Sequence, residues 1–322
     1  MQTQPWTEKY RPLTLSDVLA HESIIDIINR FANSGSLPHL LFHGPPGTGK
    51  TSTVLALAKK LFGTSFASMV LELNASDARG IDVVRDEIQS FSSTCRPATG
   101  HFKLVIMDEC DSMTKDAQFA LRRIMEKYTR HTRFCLIGNY ASKIIPALQS
   151  RCTKFRFAPL NPKLVGQRLQ YVASKENVNI TPGSLEVIQW LGKGDMRKTL
   201  NIFQSASLAS KGNVTEEIVY ATTGQLHVED IRSLLNCMLE HKFEVAFNAL
   251  QTLKRTRGFA VVDIIGLLSE AVFRLHLPSS ARTDLILGLA EIEYALTFTG
   301  LEKIQMLSLI STFAIARSVC VR

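Results

Sequence analysis

The sequence predicts an α/β fold, a parallel sheet followed by two all-helical parts, and three observations carry that expectation. Up to residue 160, short β-branched or aromatic runs alternate with helical periodicity; Asn161-Pro162 then breaks the pattern; beyond it only amphipathic helical stretches follow. Strands that alternate with helices build parallel sheets covered on both faces. The 322 residues leave room for about two domains of roughly 150 residues each. With 45% hydrophobic and 20% charged residues, the composition excludes a largely disordered chain. No apolar run approaches the roughly 18 residues a membrane helix needs. The amino-terminal MQTQPWTEKYRP lacks the apolar stretch of a secretory signal.

Strands are expected at His39–His43, Met69–Asn74, Phe102–Met107, Phe134–Gly138 and Thr153–Phe157, with helices near 51–62, 81–92 and 114–128 between them. Further helices are expected near 163–176, 184–191, 196–210, 228–241, 243–256, 260–276, 283–297 and 302–319, with no convincing strand among them. Gly224 and Gln225 mark a boundary, which gives three domains: 1–160, 161–225 and 226–322. Lys and Arg number 37 against 29 Asp and Glu, a net +8. Counted by domain, the balance is 20 basic to 14 acidic, 7 to 5 and 10 to 10, so the excess lies entirely before residue 226. A basic excess is compatible with nucleic acid without establishing it. Cys95, Cys110, Cys135, Cys152, Cys237 and Cys320 have no metal-ligand or redox spacing and read as reduced thiols of a cytosolic or nuclear protein.

Directly after the first strand comes Gly44-Pro45-Pro46-Gly47-Thr48-Gly49-Lys50-Thr51, and from Ser52 a helical run. This is the complete Gly-x-x-x-x-Gly-Lys-Thr pattern in strand-to-helix context. Its glycines let backbone amides curl around phosphate oxygens, and the helix start adds a positive dipole. Lys50 is expected to reach the β- and γ-phosphates of ATP, and the Thr51 hydroxyl to ligate Mg2+. The strand ending in Asp108-Glu109 supplies the second half of such a site. Asp108 is placed for the magnesium shell and Glu109 to polarise the attacking water.

Asn139, just past a strand, is expected at the carboxyl edge of the sheet, where open α/β sheets bind ligands; the alternative is a turn asparagine. Asp195 is a plausible N-cap for the helix that follows it. Arg197 and Lys198 then fall in the first turn, where the helix dipole disfavours cations. Function is expected where local rules are broken, so Arg197 reads as a phosphate sensor rather than a solvated surface arginine.

Together these residues resemble the AAA+ ATPases, and more narrowly the small subunits of replication factor C, the eukaryotic clamp loader. The resemblance rests on Trp6-Thr7-Glu8-Lys9-Tyr10-Arg11-Pro12, the phosphate loop, the run Asn74–Asp82, Asp108-Glu109-Cys110-Asp111, Ser150-Arg151-Cys152 and Gly194-Asp195-Met196-Arg197. The stretch 132–157 is similar to one branch of that family. The resemblance implies an AAA+ sheet domain, a helical lid and a helical collar. It also implies a ring with four other replication factor C subunits, a nuclear location, and the sliding clamp (proliferating cell nuclear antigen) and primer–template DNA as partners. Arg151 would act in trans on the neighbour's ATP. Arg11, with the segments around Thr7 and Leu19, would close over the adenine. Arg79, Arg85 and Lys143 would track the phosphate backbone of DNA, which needs cations rather than base readers; the alternative is a solvated basic face.

Three departures from the family pattern stand out. Ala78 replaces a second aspartate, Cys110 replaces an alanine, and residues 95–101 lack the bulky apolar pair with which related subunits meet the clamp. Two rival readings fit the same residues: a structural arm that binds ATP without hydrolysing it, and another AAA+ DNA-remodelling motor.

Overall fold

The computed structural model describes residues 4–18, 20–76, 81–93, 102–275, 277–298 and 300–320, the side chains of 81–85, 256–257 and 319–320 excepted. Five parallel strands form the sheet: β1 (Leu40–His43), β2 (Val70–Asn74), β3 (Lys103–Asp108), β4 (Thr132–Gly138) and β5 (Thr153–Arg156), in the order β2-β3-β4-β1-β5. Every strand falls within two residues of its expected limits.

Alternation of side chains explains the unbroken apolar runs. Leu40 and Phe42 of β1, Leu104 and Ile106 of β3, and Cys135 and Ile137 of β4 enter one buried cluster. Leu41, Val105, Met107, Phe134 and Leu136 enter the cluster on the opposite face. A strand covered on both faces has no polar side. The first cluster is closed by α2 (Glu22–Ser34) and α3 (Lys50–Phe62), the second by α5 (Ile81–Ser93) and α6 (Lys115–Tyr128). Short helices α1 (Trp6–Lys9), α4 (Phe66–Met69) and α7 (Pro146–Gln149) complete this part.

The next layer comprises α8 (Pro162–Glu176), α9 (Pro182–Gly192), α10 (Met196–Ala209) and α11 (Glu216–Thr223). Its helices start where the sequence supplies caps: Asn161 accepts from the Lys163 amide (3.0 Å), Thr181 from Ser184 (3.3 Å) and Asp195 from Lys198 (3.1 Å). Their core includes Trp6 and Ala20 from the start of the chain, beside Leu169, Ile188 and Phe203. Residues up to Thr222 form one compact unit and residues from Thr223 a second. The second contains α12 (Val228–Glu240), α13 (Phe243–Arg257), α14 (Val261–Arg274), α15 (Ser279–Phe298) and α16 (Glu302–Cys320) around one apolar core. No helix of the described residues is long and apolar enough to cross a membrane.

Several elements depart from expectation. The helix α2 was not anticipated, although Ile24, Ile25, Ile28 and Phe31 share one face; its N-cap His21 is left-handed and supplies no capping hydrogen bond, so no start signal marks it. The short α11 was missed as well. Strands were not expected beyond residue 161, yet β6 (Asn179–Ile180) pairs in parallel with β7 (Asn213–Val214). Two-residue strands have no period to read, and their partners lie far apart in sequence. Phe119, Phe243, Phe273 and Phe298 are exposed.

Candidate functional site

The strands β1, β3 and β4 end side by side, and their carboxyl ends present the phosphate loop, Asp108-Glu109 and Asn139 at one edge of the sheet. There a cavity of about 250 Å³ opens, lined by loop residues Pro46–Ser52, by Asp108, Glu109 and Asn139, and by Arg197 from α10. Thr7 and Arg11 line it as well. Leu19 and Arg79 lie outside the described residues, as does the side chain of Arg85.

Two glycines of the loop are required by space. A Cβ on Gly44, at φ +146°, would lie 2.0 Å from the Phe157 carbonyl oxygen. One on Gly47, at φ +66°, would lie 1.7 Å from Asp195 Oδ1. The loop is thus pressed against the lid helix α10, whose Met196 amide donates to the Gly47 carbonyl at 3.1 Å. Gly44 and Pro45 are not in the cavity wall; their carbonyls each accept from Lys50 Nζ at 2.8 Å. Asn139 Oδ1 accepts from the same ammonium at 3.1 Å.

Lys50 is only 7% exposed. Burial lowers its pKa, and Arg197 nearby pushes the same way, while Asp108 opposes both. A buried ammonium whose field is reinforced by a second cation favours an anionic ligand.

The Thr51 hydroxyl donates to Asp108 Oδ2 at 2.7 Å, so two oxygen ligands of the kind a hard cation prefers stand together at the cavity wall. Glu109 is exposed and held at φ 55°, ψ 35°. A left-handed backbone on a residue other than glycine costs about 1 kcal/mol or more and concentrates at functional sites. Asp111, two residues further on, accepts from the Asn139 and Tyr140 amides at 3.2 and 3.3 Å. It thereby ties the β3 and β4 edges together, a role not legible in the sequence although Asp111 stands in the run Asp108-Glu109-Cys110-Asp111.

Arg151 is exposed, donates to the Ala147 carbonyl at 2.8 Å and pairs with Glu126. It does not line the chain's own cavity. Lys143 is exposed, its ammonium 5.2 Å from the Tyr140 ring.

A parallel sheet with a phosphate loop, an acidic pair at the end of the next strand but one and a lid carrying an arginine defines a P-loop ATPase of the AAA class. The profile of the ATPase family associated with various cellular activities (AAA) matches residues 40–160, and that of the replication factor C C-terminal domain matches residues 226–312. Among similar proteins, human replication factor C subunit 5 is 52% identical, covering 98% of this chain and 93% of that one. Rice (Oryza sativa subsp. japonica) replication factor C subunit 3 is 51% identical, covering 98% and 88%. Fission yeast (Schizosaccharomyces pombe) subunit 3 is 44% identical, covering 96% and 90%. A solved structure of the Thermotoga maritima RuvB Holliday junction branch migration motor shares the fold at 17% identity, with a TM-score of 0.54 over 77% of this chain and 88% of that one. The chain belongs to the replication factor C subunits, the AAA ATPases of the clamp loader, in the branch whose members are numbered three or five.

Proposed function

We propose that this chain binds ATP with Mg2+ in the cavity, hydrolyses it, and works with four other subunits in a nuclear ring that sets the sliding clamp on primer–template DNA. The observation that carries the reading is the convergence of Lys50, Thr51, Asp108, Asn139 and Arg197 on one cavity between sheet and lid. In this reading Lys50 exchanges its carbonyl partners for phosphate oxygens. Thr51 and Asp108 hold Mg2+, which when bound offsets charge on the phosphates. Glu109 orients the attacking water, and Asn139 holds Lys50 in register.

Arg197 brings a cation from the lid onto the terminal phosphate. Arg151 serves the ATP of the adjacent subunit, since it lies outside its own cavity, where Lys50 and Arg197 already face the phosphates. Arg79, Arg85 and Lys143 follow the DNA backbone. The second unit supports assembly, because it exposes Phe273, Tyr294, Phe298 and Leu301; exposed apolar patches mark association surfaces. We further infer that 1–160, 161–225 and 226–322 act as motor, lid and collar.

The test is Glu109→Gln in the reconstituted complex. ATP binding at this site should persist while its turnover is lost. Unchanged total turnover of the complex would leave the chain a non-hydrolysing arm.

A further inference from the structure

The segment Pro5–Pro12 belongs to the lid by its contacts. The Trp6 ring meets Phe203 edge-on at 5.1 Å, and its amide donates to Gln204 Oε1 at 3.0 Å. Lys9 Nζ lies 2.6 Å from Glu176 Oε1 at the end of α8, and the Tyr10 hydroxyl donates to the same oxygen. Arg168, two turns earlier on α8, donates from Nη2 to the Tyr10 carbonyl at 2.8 Å and stacks its guanidinium on Tyr171, 5.1 Å from the ring centre. One contact reaches the other way: Arg11 Nε donates to Ser52 Oγ in α3 at 3.3 Å. The segment is therefore a strap fastened to the lid along its length and resting at its end on the phosphate-loop helix.

The cavity that holds Lys50 and Thr51 is also walled by this strap. Tyr10, Pro12, Val18, Ala20, Leu160 and Leu200 give it an apolar side, suited to the flat face of a heteroaromatic base, whereas the cations suit phosphates. Arg168 itself reaches the wall. Ionised Glu176, held below the ordinary glutamate range by its bonds to Lys9 and Tyr10, is an acceptor for two strap donors at once. No sequence motif flags Arg168 or Glu176, which lie among the polar positions of an ordinary amphipathic helix.

We propose that Arg168 and Glu176 are positioning residues for the nucleotide base: they fix the strap to the lid, so that the two form a single wall and ATP is preferred over a bare phosphate chain. The proposal rests on the reading that this cavity takes ATP. It makes the lid contribute twice, through Arg197 at the phosphates and through the strap at the base.

The experiment compares ATP with inorganic tripolyphosphate as competitors of a fluorescent ATP analogue on the full chain. Wild type should bind ATP more tightly than tripolyphosphate. Arg168→Met should weaken ATP about tenfold, the worth of one charge-assisted hydrogen bond, and leave tripolyphosphate unchanged. Arg168→Lys, which keeps a donor for the Tyr10 carbonyl, should restore part of the loss. Tyr10→Phe, which keeps the ring and loses the Glu176 bond, should shift the same ratio less, and it decides the matter if Arg168→Met does not fold. An equal loss for both competitors, or no loss for either, overturns the proposal. Equal wild-type affinity for both competitors would instead show that the cavity has no base subsite, which is a failure of the reading beneath it.

Discussion

The two compact units differ in where they place polarity. All the side chains identified as buried and polar or charged, among them Lys50, His39, Lys103, Gln118 and Thr199, lie before residue 208. The second unit, among its described residues, has no wholly buried polar side chain, only buried atoms such as Asp230 Oδ2 and Arg282 Nε. It exposes Phe243, Phe273, Leu287, Tyr294, Phe298, Leu301, Ile304 and Ile315, where the first exposes fewer, among them Phe119 and Tyr140. Charge follows the same division: the +8 excess sits ahead of residue 226 and the remainder is neutral. Burying polar groups costs free energy unless each is hydrogen-bonded; of that set, Thr48 and Lys50 line the cavity, and Lys50 is bonded to Gly44, Pro45 and Asn139. Exposing large apolar groups costs solubility unless a partner covers them. In the proposed function this difference separates a unit that holds a ligand from one that holds neighbours.

Four variants would break or sharpen that division. The largest effect is expected from Arg151→Ala. If this exposed arginine serves the next subunit, turnover on the neighbour should fall by roughly 10³–10⁵, with ATP binding to this chain unchanged. A mixed complex in which only the neighbour's site is competent measures it, and wild-type turnover there would remove the trans role.

Next in size is the association surface. Phe298→Asp, at a side chain 73% exposed, should weaken assembly about thirtyfold if the residue is an interface anchor, while the melting temperature of the chain alone stays constant. Analytical ultracentrifugation of the reconstituted complex decides this. Intact assembly would place the interface elsewhere on the unit.

A smaller effect concerns the first unit's buried polar groups and pH. Burial lowers the His39 pKa to about 4, and its Nδ1 accepts from the Phe134 amide at 3.1 Å, which requires the neutral ring. The unfolded chain takes up this proton near the ordinary value of about 6.5. Stability from His39 is therefore complete above that pH and is lost as pH falls towards 4, by up to about 1.4 kcal/mol per pH unit. His39→Asn keeps an acceptor near the Nδ1 position and does not titrate. Thermal melts from pH 7 to 4.5 should show a shallower decline for that variant, and identical slopes would contradict the assignment.

The smallest change is electrostatic. Replacing Arg79, Arg85 and Lys143 by alanine should weaken DNA binding evenly across sequences and lower the salt slope by roughly 0.9 per lost phosphate contact. An unchanged slope would return these cations to the solvated surface.

What was legible in the sequence divides along similar lines. The five strands were readable because a sheet buried on both faces leaves only apolar residues, as Leu104–Met107 illustrates. The phosphate loop and Asp108-Glu109 were readable because their chemistry demands fixed residue types at fixed spacing. Asp195 announced its helix, and the cap forms as expected. By contrast, β6 and β7 meet across more than thirty residues with two positions each, and no local signal encodes such a pairing. The attachment of Trp6 to Phe203 and of Arg168 to the Tyr10 carbonyl is likewise tertiary. A lone arginine on an amphipathic helix looks the same whether it faces water or a backbone oxygen.

The central claim is that ligand chemistry and assembly are housed in separate units, and Lys50→Ala tests it most directly. Nucleotide binding to this chain and its incorporation into the complex should be measured on the same preparation. The account predicts that ATP binding at this site is lost while the chain still enters the complex at wild-type stoichiometry. A variant that failed to assemble would contradict it, since the second unit would then depend on the nucleotide site for the association proposed for it.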